Sequence, residues 1–278
     1  MLLLVDGSNL LFQMFYGMPS RIVNKDGKAI QGTLGFVGAL LKIIKIVEPS
    51  HMLVVFDGEN TDIRKDLSGE YKSNRIDYSK FAEEDNPFSQ LEDVYKALDF
   101  MKIKYTESNY YEADDLIASY VFSYGKKEKI IIASWDSDFF QLITEQVKVL
   151  RYRGKNTMLC DEACIQQKFG IFPAVYADYK ALIGDKADNI KGIPKVGTKT
   201  ATALIQKYGN IGGILKNVER IEKPSIRNAI IENQEMLQQN YQLIKLENCI
   251  ELPYDMEELR YTYHNITTNQ VLEGIGVR

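Results

Sequence analysis

The sequence predicts an α/β fold, a central and largely parallel sheet flanked by helices, and three observations carry that expectation. Residues 2–5 (LLLV), 52–56 (MLVVF) and 129–134 (KIIIAS) are apolar runs of strand length. Stretches with apolar residues at helical spacing, 33–47 and 114–124, stand between them. Strands that are apolar at successive positions are buried on both faces, which requires helices on either side of the sheet.

Taken in order, the first strand ends at Asp6-Gly7 and the second at Asp57-Gly58, and the third stops just before Asp136. In open α/β sheets the carboxyl edge of the strands is where ligands bind, so three acids at that edge point to a site. A single strand-end Asp is as readily a turn former or an N-cap. Gly32, Gly35 and Gly38 follow a loop and lack the GxGxxG spacing, so they are expected to let the 33–47 helix pack closely on the sheet. Residues 62–90 are polar and aromatic-speckled, the texture of a functional connector. On a helix, residues two apart point to different faces, which places Glu112 in the turn ahead of the 114–124 helix. From about residue 171 the texture is helical, with "GIPKVGTKTATALIQKYG" as a helix–hairpin–helix signal, and the residues from about 250 read as an extended tail. The expected division is an α/β domain over 1–175, including the connector to about residue 92, and a helical region over 176–278.

The chain has 278 residues, 45% hydrophobic and 26% charged, as a globular protein should. The net charge of −4 announces no nucleic-acid partner globally, so a basic face would have to be local. Cys160, Cys164 and Cys249 form neither an even disulfide set nor a CxxC, which suits a reducing cytoplasm. "MLLLVDGSN" has no basic n-region, and Lys42 and Lys45 interrupt "FVGALLKIIKIV", so neither a signal peptide nor a membrane span is expected.

Nine acids accumulate around the strand ends: Asp6, Asp57, Glu112, Asp114, Asp115, Asp136, Asp138, Asp185 and Asp188. Clustered carboxylates resist burial unless something cationic is present. No cysteine or histidine accompanies them, the histidines being only His51 and His264. An oxygen-only set favours Mg²⁺ or Mn²⁺ over Zn²⁺, and nine acids exceed the needs of one ion. A pair of such ions can activate a water, clamp a phosphodiester and stabilise the leaving oxygen without a Ser/His or Cys/His nucleophile.

The motifs "LVDGSN", "VVFDG", "EYKSNR", "YEADDLIAS", "DSDFFQL" and "GDKADNIKGIPKVGTKTA" resemble, in order, those of the 5′-nuclease family. That family includes the 5′→3′ exonuclease domain of bacterial DNA polymerase I, phage 5′ nucleases and flap endonucleases. The resemblance runs from about residue 2 to 215 and is to a free-standing small member. It implies a PIN-like sheet, a helical arch at about 62–92 and a helix–hairpin–helix (H3TH) region. It assigns Asp6, Asp57, Glu112, Asp114 and Asp136 to a first metal cluster and Asp138, Asp185 and Asp188 to a second, with Asp115 touching metal through water. It places Lys72 and Arg75 on the arch at the scissile phosphate, and Arg64 at the arch base as a phosphate contact. Tyr71, Tyr78 and Phe81 either stack on single-stranded bases or pack the arch.

Gly192, Lys195, Gly197 and Lys199 belong by the same resemblance to a sequence-neutral DNA-backbone contact, made basic by Lys186, Lys191 and Lys207 as well. Carbonyls near Gly192, Val196 and Gly197 fall where family members hold K⁺. Three positions depart from the family pattern: Lys195 replaces a glycine, Gln13 an arginine, and Trp135 a small residue. The implied activity is metal-dependent 5′→3′ exonuclease and flap-endonuclease cleavage of branched or 5′-ended DNA, RNA primer–DNA hybrids included, by a cytoplasmic monomer. The rival readings are a catalytically weak branched-DNA binder, against which Asp185 and Asp188 speak, and a PIN-type ribonuclease, against which the helix–hairpin–helix speaks. A phosphatase of the haloacid-dehalogenase type would need an acid where Ser8 stands.

Overall fold

The computed structural model describes residues 1–58 and 63–278. In chain order the first half runs β1 (Leu2–Asp6), α1 (Gly7–Gly17), α2 (Gln31–Val47), β2 (His51–Asp57), α3 (Ile63–Leu67), α4 (Leu91–Phe100) and β3 (Lys104–Ser108). It continues with α5 (Ala113–Tyr124), β4 (Ile130–Ala133), β5 (Val147–Arg151), β6 (Met158–Cys160) and α6 (Glu162–Phe169). The second half holds α7 (Tyr176–Ile183), β7 (Gly184–Asp185), β8 (Ile190–Lys191), α8 (Thr198–Tyr208), α9 (Ile211–Lys216), α10 (Pro224–Glu232), α11 (Gln234–Ile244) and α12 (Thr268–Gly274).

The main sheet has the order β3-β2-β1-β4-β5-β6, parallel except for β6. Side chains alternate across it as a period of two requires. Leu2, Leu4, Leu53, Val55, Ile130 and Ile132 face one core, shared with α5 and the helical half. Leu3, Val5, Met52, Val54 and Phe56 face the other, shared with α2 and α4. The chain winds outward from β1 through β2 to β3, then returns to start β4 on the other side of β1. The carboxyl ends of β1 and β4 therefore flank the switch point where open sheets bind ligands.

Four expectations are corrected. Gly32 and Gly35 of α2 meet α1 rather than the sheet, and Gly38 faces Thr268 of α12: a Cβ on Gly35 would lie 2.9 Å from Met14 Cβ, so glycine lets α1 and α2 touch. The strands β3 and β5 and the helices α1 and α4 were not anticipated. The extended tail after 250 ends in a helix and packs on the sheet: Leu259 O accepts from Met52 N, Tyr261 N donates to Ser50 O, and Val271 of α12 is fully buried against the α2 side of the sheet. The last twenty residues thus pack on the α/β half. The predicted arch carries a short helix, α3, then turns and three 3₁₀ turns (Tyr78–Lys80, Glu83–Asp85, Pro87–Gln90). Its first residue, 62, lies outside the described residues.

Candidate functional site

Asp6 closes β1 and caps α1, accepting from Asn9 N at 3.0 Å, while its other oxygen accepts from Ser134 Oγ at 2.7 Å. The cap and site readings of a strand-end Asp are both true here. Asp57, at the end of β2, accepts from Ala113 N at 3.0 Å and so ties β2 to the start of α5. Glu112 is the N-cap residue of α5, with Asp114 and Asp115 in its first turn. Asp136 follows β4, and its Oδ1 accepts from Asp138 N at 2.8 Å. Among the described residues no Lys or Arg lies within ion-pair distance of Asp6, Asp57, Asp114 or Asp136.

Electrostatics marks these four as a set. Burial, then the charge of Asp57, pushes the Asp6 carboxyl up to about 7 against the hydrogen bonds from Asn9 and Ser134. Burial, then Asp136, Asp6 and Asp57, raises Asp114 well above the usual carboxylate range. The remaining acids have cations built in. Lys180 of α7, buried, pairs with both Asp138 and Asp185. Burial alone would lower its pKa, but Asp138 and Asp185 outweigh that and raise it. The carboxyls of Asp138, Asp185 and Asp188 offer oxygens all within 4.8 Å of one another, the one such trio among the described residues. Burial holds Asp138 near 7 even with Lys180 beside it, because Asp136 adds to the cost. Asp185 is less buried, and there Lys180 outweighs burial and lowers the pKa.

The connector supplies the other cations. Arg64 is buried and forms a fork onto Asp115 (2.8 and 2.6 Å) while also donating to Glu112 at 2.7 Å. Lys72 pairs with the other Glu112 oxygen, the Tyr71 hydroxyl donates to Glu112 at 3.1 Å, and Arg75 meets Asp188 at 3.1 Å. At Glu112 burial would raise the pKa, but Lys72 and Arg64 lower it instead. Lys72 is held in the left-handed region (φ 53°), where its N–H donates to Asp188 O at 3.0 Å.

Several sequence expectations change here. Arg64 is not free for a phosphate, since its guanidinium is committed to two acids and the Lys245 carbonyl. Asp115, 2% exposed, has its oxygens taken by Arg64 and Glu247 N. Both oxygens of Glu112 likewise accept hydrogen bonds, from Arg64, Lys72 and Tyr71. Tyr71 is buried and packs rather than stacks, and Tyr78 makes ring contacts with Phe12, Phe81 and Phe88. Lys180 was missed. Its signal is a lone cation inside "YADYKALI", whose other positions are buried or nearly so.

The helix–hairpin–helix is α7, the β7–β8 hairpin, and α8. Gly192 stands where a Cβ would lie 2.2 Å from Ile183 O, so the hairpin return admits no side chain. Lys195 adopts φ 65°, the conformation a glycine would take without strain. The backbone turn is therefore kept and a cation added. Val196 is buried, and Gly197, Thr198 and Lys199 present the start of α8 to solvent. Gln13 donates to Tyr152 O at 2.7 Å, as does Trp135 Nε1, so both departures are built into the β4–β5 side of the sheet.

An acid-filled carboxyl edge of a parallel sheet, with a helix–hairpin–helix beside it, defines a phosphodiester-cleaving class of α/β protein. The 5′–3′ exonuclease N-terminal resolvase-like domain matches residues 1–170, and its C-terminal SAM-fold domain matches 171–267. A 5′-3′ exonuclease from Buchnera aphidicola (subsp. Schizaphis graminum) is 35% identical over 231 residues, covering 82% of this chain and 77% of that one. The thermostable DNA polymerase I of Thermus aquaticus is 32% identical over 259 residues; the alignment takes 93% of this chain but 30% of the polymerase. The chain belongs to the 5′–3′ exonuclease family and is a nuclease. Among solved folds, T5 D15 protein co-crystallised with metal ions superposes with a TM-score of 0.71 at 22% identity, over 87% of this chain and 88% of that one. The catalytic core of Rad2 in complex with DNA substrate does so at 0.60 and 16%, over 98% and 90%. Among the described residues no helix is long and apolar enough to cross a membrane.

Proposed function

We propose that the chain is a structure-specific 5′ nuclease that hydrolyses phosphodiesters near 5′ ends and flap junctions of DNA, with RNA primer–DNA hybrids also accepted, acting as a monomer in the cytoplasm. The observation that carries this reading is the split in the acids: among the described residues five have ion-paired cations and four, Asp6, Asp57, Asp114 and Asp136, have none. An all-oxygen, uncompensated set suits Mg²⁺ or Mn²⁺, with Asp138, Asp185 and Asp188 as the donors for further ions. Such ions, when bound, supply water activation and charge neutralisation at the phosphate.

The protein groups do the rest. Lys72 and Arg75, held beside the acids by Glu112 and Asp188, stabilise charge as it develops on the scissile phosphate. Gly192, Gly197, Lys195 and Lys199 receive the duplex backbone at the start of α8, where helix N–H groups favour an anion. K⁺ held by the carbonyls near Gly192, Val196 and Gly197 would join the same contact. The test is release of product from a 5′-labelled flap, nick or gap. No release with either Mg²⁺ or Mn²⁺ refutes the proposal, and an Asp188→Ala variant that cleaves at the wild-type rate refutes a role for the second group of acids.

A further inference from the structure

Beside the acids, on the β4–β5 side of the sheet, stands a group to which the reading above gives no work. Trp135 immediately precedes Asp136 and is fixed from several sides. Its N–H donates to Asn9 Oδ1 at 3.0 Å, its indole N–H donates to Tyr152 O at 2.7 Å, and its carbonyl accepts from Arg151. The Arg151 guanidinium is wedged between two rings, 4.8 Å from Trp135 and 5.1 Å from Phe140, with its Nε buried and without a partner. Arg151 is thus a packing element. Arg153, two residues on, also lies over the indole, at 5.6 Å, but it is exposed, and among the described residues no acid pairs with it. Lys155 follows on the same exposed turn.

We propose that Arg153, seated on the Trp135 ring, is a substrate-positioning residue that binds a backbone phosphate of the strand entering the acid site. A guanidinium stacked on an aromatic face keeps its in-plane N–H fork free, and that fork matches a phosphate. Seating it on an indole pinned through its own N–H, in a residue whose backbone is held by two further hydrogen bonds, lowers the ordering cost of binding. Its place next to the Asp136 segment sets the ligand: a phosphodiester flanking the one to be cut. The cations that meet the acids directly, Arg64, Lys72, Arg75 and Lys180, are each ion-paired with a carboxylate, whereas among the described residues Arg153 is not. The inference rests on the nuclease reading.

The experiment is steady-state cleavage of a 5′-labelled flap in Mg²⁺ across 50 to 200 mM KCl, on wild type, Arg153→Ala, Arg153→Lys, Trp135→Leu and the double variant Trp135→Leu/Arg153→Ala. Arg153→Ala is expected to raise KM about three- to tenfold with kcat within about twofold, and to flatten the salt dependence of log KM by about 0.7 to 0.9, the loss of one phosphate contact. Arg153→Lys keeps the salt slope because it keeps the charge. Trp135→Leu raises KM as Arg153→Ala does, and the double variant adds little to either. Wild-type KM and salt slope in Arg153→Ala overturn the proposal, whatever Trp135→Leu does, because the exposed Arg153 side chain can be removed without harming the fold. If the unaltered protein cleaves no flap, the nuclease reading falls and this inference falls with it; if it cleaves and Arg153→Ala is silent, only the inference falls.

Discussion

Lys180 gives the sharpest test of how the acids are kept together. Its ammonium is the sole cation paired with Asp138 and Asp185 among the described residues, and the Lys180 and Asp138 side chains are 8% and 10% exposed. At that depth solvent screening is weak, so removing the cation leaves buried charge uncompensated, a loss of about 3–5 kcal/mol. A chain of 278 residues loses roughly 2 °C of Tm per kcal/mol, so Lys180→Met should melt about 6–10 °C below wild type in chelator at pH 8. At pH 6 the deficit should shrink, because Asp138 with its pKa raised to about 7 then takes up a proton instead. Divalent metal should shrink it as well: at a concentration 100 times Kd it contributes about 2.7 kcal/mol to either protein, and more to the variant, whose acids bind the ion without competition from an ammonium. Thermal unfolding of both proteins in chelator and in Mg²⁺, at pH 6 and 8, measures all of this. A variant melting within about 2 °C of wild type in chelator at pH 8, or an equal Mg²⁺ shift for both proteins, would refute the reasoning.

The wild-type protein should itself lose stability with rising pH when stripped of metal. Asp6 and Asp138 have folded pKa values raised from 3.8 to about 7, so the folded state holds protons that the unfolded state releases, and stability falls between about pH 4 and 7 and levels off above. Melting curves in chelator from pH 5 to 8 check the sign, and Mg²⁺ should flatten the slope. Asp6→Asn should melt above wild type at pH 8 in chelator and cleave no flap; a lower Tm there would contradict the raised pKa. Asp115→Asn should cost about 1–3 kcal/mol through the lost fork to Arg64 yet leave the Mg²⁺ concentration for half-maximal thermal shift unchanged, whereas a metal ligand would raise it. Gly192→Ala forces a Cβ to within 2.2 Å of the Ile183 carbonyl oxygen, so it should destabilise the hairpin by more than about 2 kcal/mol, seen as faster proteolysis of the second half.

What could be read in the sequence follows from where each element sits. The strands β1, β2 and β4 lie at the centre, covered on both faces, so their apolar runs and the acids that end them stand out. The outer strand β3, "KYTES", has one buried residue in five and carries no such run, and β5, "VKVLR", alternates only weakly. The amphipathic α4 carries four polar or charged residues in ten, and α12 is only seven residues long and lies beyond a stretch without repeating pattern. The acids were legible as a group, but their division into paired and unpaired was not, because each partner arrives from far along the chain: Arg64 reaches Asp115 across 51 residues, Arg75 reaches Asp188 across 113, and Lys180 reaches Asp138 across 42. A cation in "DIRKD" or "YADYKALI" reads as a solvated helix face until the fold buries it. That division is the chemically informative part. Four cations compensate five acids, the buried Glu112, Asp115, Asp138 and Asp188 among them, while Asp6, Asp57, Asp114 and Asp136, which have no ion-paired cation among the described residues, repel one another at the switch point of the sheet. Carboxylate repulsion of that kind persists in a stable fold when a mobile cation relieves it, and this is the physical ground on which the proposed function gives the first ions to the unpaired four and further ions to Asp138, Asp185 and Asp188.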